Sequence, residues 1–327
     1  MKSPWEKILQ VALRTPSPHN TQPWRVKIRE EFRASLFMER ARMLPDEDIT
    51  GQFLRCAMGL FLETLRHAAA NAGYVLHAKL CEVAASAPLM PFAELELEKG
   101  SLPSPFPDEL LLSRRTSRLP SNGVPIEPAT TAELKALATE SGQRYEQIDD
   151  PALIEAIIRE NIRAVFHDLN VRAYHDEIAH WFRYSDKEAQ LKCDGLDYRC
   201  MGVRPFQLKL MRSLPQVMRW PLARSLVGRA YRAQIGRVTH LGIIAGPFFD
   251  DAASVRAGAS LLRFWLELAR AHIYIHPFGN LVTNAEAAAR VRELTGIDNI
   301  WLVFRIGHTA VPPRSYRRSI EQVLIHD

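Results

Sequence analysis

The sequence predicts an α+β protein with a tendency to three layers, and three observations carry that expectation. Strand-like segments alternate with long amphipathic helical stretches along 327 residues. Hydrophobic residues make up 47% and charged residues 24%, a balance that buries a large core without a metal or disulfide staple. A gapless shift of 199 positions lays residues 59–77 on residues 258–276, matching Gly59 with Gly258, Leu62 with Leu261, Ala70 with Ala269, Ala72 with Ala271 and His77 with His276. In both copies a long apolar helix leads directly into a β-prone segment, so the repeat, although weak, points to two related halves.

The elements follow in order. Residues 4–15 form a first helix, ended by Pro16 and Pro18. Residues 24–29 read as a short strand, 34–38 as its partner and 39–45 as a loop. Across residues 46–73, Phe53, Ala57, Leu60, Phe61, Thr64, Leu65 and Ala68 recur at helical spacing. Strands follow at 74–82 and 93–98. Pro103, Pro105 and Pro107 make residues 100–107 the best linker, dividing the chain into residues 1–105 and 106–327. Beyond it, residues 108–117 begin a helix or turn, and 131–141 and 151–183 are helical. A strand at 239–245 enters a helix at 251–271, with further strands at 273–276 and 301–306.

Charge and cysteine usage exclude several classes. The net charge of +5 belongs to one segment: residues 198–249 contain no Asp or Glu and nine Lys or Arg. The rest of the chain is slightly acidic, so a general nucleic-acid-binding role is not expected. Within the segment, Leu208, Met211, Leu214 and Met218 form an apolar stripe, and the segment has three readings: a solvated excursion, a lid, or a contact with nucleic acid or a membrane surface. Cys56, Cys81, Cys193 and Cys200 form no CxxC pair, so a structural zinc or redox motif is unexpected. His175 and His180 stand five apart, the wrong spacing for one-faced metal ligation on a helix, and no metal site is expected. His167 and His240 have no evident partner, and Trp181 and Trp265 read as core. No apolar run approaches the ~18 residues of a spanning helix, and the N-terminus lacks the pattern of a secretory leader. A cytoplasmic protein without a membrane span is expected.

Three segments could carry chemistry. Thr15-Pro16-Ser17-Pro18-His19-Asn20-Thr21-Gln22-Pro23-Trp24-Arg25 packs prolines, a hydroxyl, an imidazole and two amides between a helix and a strand. Such a loop suits a planar heteroaromatic ligand, whose edges take several hydrogen bonds; it is equally an Asx-rich turn. Ser113-Arg114-Arg115-Thr116-Ser117-Arg118 is either a phosphate cradle or a solvated basic turn. The same two readings apply to Pro312-Pro313-Arg314-Ser315-Tyr316-Arg317-Arg318. No GxSxG, Walker A or GxGxxG motif occurs.

Together these segments resemble the FMN-dependent nitroreductase superfamily. Ser17 to Trp24 is similar to its PSxxNxQPW signature, and Arg114 to Arg118 to its RRSxR phosphate motif. Arg305-Ile306-Gly307-His308 and Arg317 to Val323 resemble its RxGxP…RKPLEEVV ending. The order differs from ordinary members, whose phosphate motif precedes NxQPW and whose FMN lies at a homodimer interface. The resemblance therefore implies a single-chain tandem version of the fold, a monomer whose two degenerate halves form an internal pseudo-dimer.

By that resemblance, Ser17, Pro18, His19, Asn20 and Gln22 would line the isoalloxazine. Arg114, Arg115, Thr116 and Arg118 would hold the phosphate and ribityl end, with Arg314 and Arg317 closing from the C-terminus. Pro277 and Gly279 fall where the family presents backbone groups near the reactive flavin nitrogen. His19 departs from the small residue often found there, and the basic insert is larger than a minimal member carries. The implied function is an FMN-dependent oxidoreductase passing hydride from transient NAD(P)H to a nitroaromatic, quinone-like or other conjugated small molecule. No catalytic side chain is required, because the flavin carries the chemistry. A flavin-binding protein without turnover, closed beneath the basic segment as a lid, is the alternative.

Overall fold

Ser3 caps α1 (Pro4–Ala12) by accepting the Trp5 N–H, with Pro4 at the first helical position. The computed structural model describes residues 3–81, 87–100, 104–217 and 221–326. After α1 the chain makes a short 3-10 turn at Pro18–Asn20 and enters the antiparallel pair β1 (Trp24–Glu30) and β2 (Arg33–Glu39). α2 (Gln52–Asn71) starts later than the apolar pattern predicts. Asp48 sets that start, its carboxylate accepting the N–H groups of Phe53 and Leu54 at 3.2 and 2.8 Å. β3 (Tyr74–Leu80) and β4 (Leu89–Lys99) complete a sheet ordered β1-β2-β4-β3. Residues 101–103 of the expected linker lie outside the described residues.

α3 (Asp108–Ser113) and α4 (Pro128–Glu140) lead to β5 (Arg144–Ile148), a strand the sequence reading missed because its five residues contain no apolar run. The single long helix expected at 151–183 is two, α5 (Pro151–Asn170) and α6 (Arg172–Trp181), parted where Val171 turns extended. α7 (Asp186–Lys192), α8 (Pro205–Val217) and α9 (Pro221–Ile235) complete a long excursion. β6 (His240–Ala245), α10 (Asp251–Arg270) and β7 (Tyr274–Pro277) follow. The chain then runs through α11 (Asn280–Thr283), α12 (Ala285–Thr295), β8 (Ile300–Gly307) and α13 (Ile320–Val323). The second sheet is ordered β5-β6-β8-β7.

The two sheets thus share one topology. In each, the long helix connects the second strand to the third, and the named pairings are antiparallel. α2 and α10 lie side by side in the same direction, since Gln52 meets Asp251 and Glu63 meets Arg263. A side chain at Gly59 would strike the Val255 carbonyl, and one at Gly258 would strike the Cys56 carbonyl, each at 2.1 Å. Residues 56 and 255 are 199 apart, as are 59 and 258, so the close approach is reciprocal across the repeat.

One apolar core runs from the first sheet through both helices to the second. Trp24 stacks on Phe61 at 4.6 Å, and Tyr145 packs edge-on against Phe264 at 4.9 Å. A second core, built around Ile157, Ile158, Ile243, Val303 and Ala287, covers the other face of the second sheet with α5 and α12. The three layers are complete there. The outer face of the first sheet carries polar pairs such as Ser35 with Glu94 and Arg33 with Glu96 instead.

Candidate functional site

The loop after α1 is strained and tightly clamped. His19, Asn20 and Gln22 all have positive φ, at 48°, 56° and 52°. Such a conformation costs on the order of 1–3 kcal/mol per residue and persists only where surroundings over-determine it. Here they do. Gln22 Oε1 accepts the Arg318 N–H at 2.9 Å, and its Nε2 donates to the Cys193 carbonyl at 2.9 Å. Asn20 Nδ2 donates to the carbonyls of Gly195 and Tyr316 at 3.2 and 3.1 Å. The Ser17 hydroxyl accepts the Gln22 N–H. Ser17 and Gln22, expected to line a ligand, are therefore engaged in holding the loop. His19 and Asn20 keep free capacity: His19 Nδ1 and Asn20 Oδ1 are buried without a partner.

His19 Nε2 lies 2.7 Å from Glu47 Oε2. Burial opposes a charge on the ring, but the Glu47 carboxylate outweighs it and holds the imidazole above its ordinary value. Glu177 supports this arrangement, accepting the N–H groups of Asp46 and Glu47 at 3.1 and 2.8 Å.

Beside the loop, five arginines gather, and the buried Asp197 lies in electrostatic reach of Arg317. Arg114 is 5% exposed, lies over the Trp265 ring at 4.4 Å and donates to the Arg14 carbonyl at 3.2 Å. Burial, followed by the charge of Arg14, pulls its guanidinium down to about 9. Arg14 donates to the Ser315 carbonyl and Arg115 to the Pro312 carbonyl. Arg14 faces Arg314 and Arg115 electrostatically, and both lower its pKa after burial itself. Arg317 bonds to Ser315 Oγ and the Tyr316 carbonyl, and burial with Arg14 and Arg114 depresses it well below the ordinary range. Arg114 Nη1, Arg115 Nε and Arg317 Nε are buried with no acceptor. Among the described residues none of the five forms an ion pair. Arg114 is buried, Arg14, Arg115 and Arg317 are half-buried and Arg314 is exposed; cations that repel one another and hold buried, unused donors are chemically suited to a multivalent anion.

The next residues extend the site toward the second sheet. Thr116 forms a parallel bridge with Ile275, and the Ser117 N–H donates to the Ile275 carbonyl at 3.1 Å. Arg118 has no hydrogen bond or ion pair among the described residues, and burial lowers its pKa. It lies in the electrostatic reach of His19, His276, Cys200 and Tyr231. His276 is buried with an unpartnered Nδ1, and burial, then Arg118 and Arg305, hold it neutral, well below the usual histidine range. Pro277 ends β7, and the loop through Gly279 is pinned by Asn280 donating to Asp168 at 2.7 Å.

Several histidine and tryptophan expectations resolve differently. His167 does have partners, Asp168 and Asn284, and His240 Nε2 accepts the Ile126 N–H. His175 bonds to the Arg212 carbonyl, and His180 sits edge-on against Trp181. Trp181 and Trp265 are buried as expected, yet Trp265 also serves as the platform for Arg114. The four cysteines are free thiols. Of the expected stripe, Leu208 is buried against Phe182 and Leu196 in a small separate core. Met218 and the side chains of Met211 and Leu214 lie outside the described residues. Sequence reasoning named the segment from His276 to Asn280 for its backbone alone; it missed Arg14, whose position just ahead of the proline-rich loop was the available signal, and Tyr231, which nothing local marks.

The two-sheet α+β fold thus sets an arginine cluster beside a strained NTQPW loop. The chain is similar in part to proteins named as nitroreductases. A protein of Mycobacterium tuberculosis, "Putative NAD(P)H nitroreductase acg", is 30% identical over 187 residues, which span 53% of this chain and 52% of the relative. The chain therefore matches about half the length of that relative. No family model matches the chain. Among solved structures, the FMN-dependent nitroreductase NfnB of Mycobacterium smegmatis in complex with NADPH covers 64% of this chain and 93% of its own, at 14% identity and a TM-score of 0.39. A nitroreductase of Desulfitobacterium hafniense with bound FMN covers 67% and 97%, at 8% identity and a TM-score of 0.39.

Proposed function

We propose that the chain binds FMN across its two halves and acts as an NAD(P)H-dependent oxidoreductase on a conjugated small-molecule acceptor. The observation that carries this reading is a cluster of arginines without an ion pair, in which Arg114 Nη1, Arg115 Nε and Arg317 Nε are buried and unused. Arg114, Arg115 and Arg317 would hold the phosphate, with Arg14 and Arg314 adding positive charge behind them. Thr116 and Arg118 would receive the ribityl end. Pro18, His19 and Asn20 would border the ring, with the loop at Pro277 and Gly279 on the opposite side. Ser17 and Gln22 would act indirectly, by fixing the loop. When bound, the flavin supplies the hydride chemistry, and the chain's own tasks are binding, orientation and control of access.

In this reading the halves 1–105 and 106–327 are a tandem repeat folded as an internal pseudo-dimer. The shared sheet order and the reciprocal approach at Gly59 and Gly258 favour it. A monomer would then hold the complete site. Flavin loss on dilution, tracking dissociation of a dimer, would sink this part of the reading.

The flavin-binding alternative keeps the same site and rests on the basic segment. Tyr231 of α9 lies in the reach of Arg118 and Arg305 and accepts a bond from Asn161 at 3.2 Å, which favours a lid at the site's edge. The deciding experiment is flavin absorbance of the purified chain, followed by anaerobic NAD(P)H addition and then an acceptor. Bleaching and reoxidation support the enzyme; a stable flavin spectrum untouched by NAD(P)H supports the closed binder. Absence of flavin after reconstitution rejects both.

A further inference from the structure

Helices α8 and α9 each bury one face and leave a second apolar face in water. On α8, Leu208 is fully buried, while Phe206 and Leu210, one turn apart, are 61% and 47% exposed. On α9, Ile235 is buried, while Leu222 and Leu226, again one turn apart, are 81% and 65% exposed. Single exposed apolar residues are ordinary on a protein surface. Two i,i+4 pairs on consecutive helices are a pattern rather than scattered exposures.

The segment that carries these two helices has charge of one sign. Residues 198–249 hold nine Lys or Arg and no acid. Beside the Leu222–Leu226 ridge, a groove of about 620 Å³ opens between α5 and α9. Arg159, Arg229 and Arg237 line it together with the Arg232–Glu155 ion pair at 3.0 Å. Those three arginines have no ion-pair partner among the described residues. A second copy of this chain on the same face would set like charges against like. An anionic bilayer surface meets both requirements, since its acyl boundary accepts protruding leucines without matched pockets and its phosphates meet the arginines.

We propose that the α8–α9 face is a docking surface for an anionic lipid bilayer. Phe206, Leu210, Leu222 and Leu226 enter the interfacial layer, while Lys209, Arg159, Arg229 and Arg237 meet the headgroup phosphates. No described helix is long and apolar enough to cross a membrane, so the association is peripheral and reversible. It does not depend on the flavin reading.

The test is co-sedimentation of the full chain with vesicles of phosphatidylcholine alone and of phosphatidylcholine with one third phosphatidylglycerol. Binding is expected only to the anionic vesicles, weakening as salt rises. The double variant Leu222→Ser with Leu226→Ser should lower the partition coefficient by about tenfold or more, because interfacial binding scales with buried apolar area. Arg229→Gln should weaken binding less and flatten its salt dependence. All of these side chains are exposed, and an unchanged circular dichroism spectrum checks that each variant is folded. Absence of binding to the anionic vesicles, or binding indifferent to the leucine substitutions, overturns the proposal. Light scattering that shows a dimer dissolved by the same leucine substitutions also overturns it, assigning the face to a second copy.

Discussion

Arg183 and Arg114 are both almost completely buried, yet their electrical surroundings are opposite. Arg183 donates twice to Asp194, at 2.5 and 3.0 Å, and to the carbonyls of His180 and Phe182. Asp194 also accepts from Arg42 at 2.9 Å. Arg318 is satisfied in the same manner by Glu39 and the carbonyls of Gln22 and Gln322. Arg114 has one carbonyl, one indole face and a second arginine for neighbours. The first group is complete within the chain, and it ties 193–195 and 316–318 to the loop. The second keeps buried donors unused within the chain, and in the proposed function an anion completes it. Burial alone does not separate a structural arginine from a binding one; the inventory of its acceptors does.

The largest effect should follow from breaking the complete network. Asp194→Ala leaves the buried Arg183 with carbonyls alone, while Arg42 keeps Glu39 and the Thr21 carbonyl, and removing one partner of a buried pair costs ~3–5 kcal/mol. Urea unfolding should show that loss with or without phosphate in the buffer. A loss rescued by phosphate would erase the distinction between the two groups.

Arg114→Ala should behave in the opposite manner. It removes a repelled, incompletely satisfied cation, so the ligand-free protein should keep or gain stability. Losing one charge-assisted contact should instead weaken FMN binding by ~1.5–3 kcal/mol, read by titration calorimetry. A ligand-free protein destabilised as badly as by Asp194→Ala would make Arg114 structural.

A steric control sharpens the comparison away from any charge. A Cβ at position 59 would lie 2.1 Å from the Val255 carbonyl oxygen, so Gly59→Ala should cost ~1–3 kcal/mol as an overpacked contact. The stabilisation that saturating FMN adds should remain as in the parent. A change in that added stabilisation would mean that the helix crossing and the arginine site are coupled.

How much of this was legible in the sequence follows from range. The apolar periodicity of α2 and α10 and the pairing of β1 with β2 are local signals, and they were readable. β5 carries Arg144 and Glu146 within five residues, so only its pairing with β6 across the long excursion defines it. The arginine motifs were visible, but their convergence with Arg14 spans the chain and leaves no spacing to read. Gln22 was expected to line a ligand, and a sequence does not show that Arg318 and Cys193 already occupy its amide.

The smallest effect concerns pH and sets two histidines of the site against each other. His19 has Glu47 at 2.7 Å, with Glu177 also favouring its charge and Arg118 opposing it, and its folded pKa lies above the ordinary value of about 6.5. The native state therefore holds the proton more tightly than the unfolded chain. Its stabilisation is fully present below the unfolded value and is lost as pH rises through the higher folded one. His276 faces Arg118 and Arg305, and its folded pKa is depressed, so its contribution is lost as pH falls from the unfolded value toward the folded one. Unfolding free energy measured from mildly acidic to mildly alkaline pH should separate them. His19→Gln should remove the decline on the alkaline side, and His276→Gln should remove the decline on the acidic side. If His19→Gln left the alkaline slope unchanged, the Glu47 contact would not be holding a proton, and His19 would belong with the neutral groups that merely shape the loop.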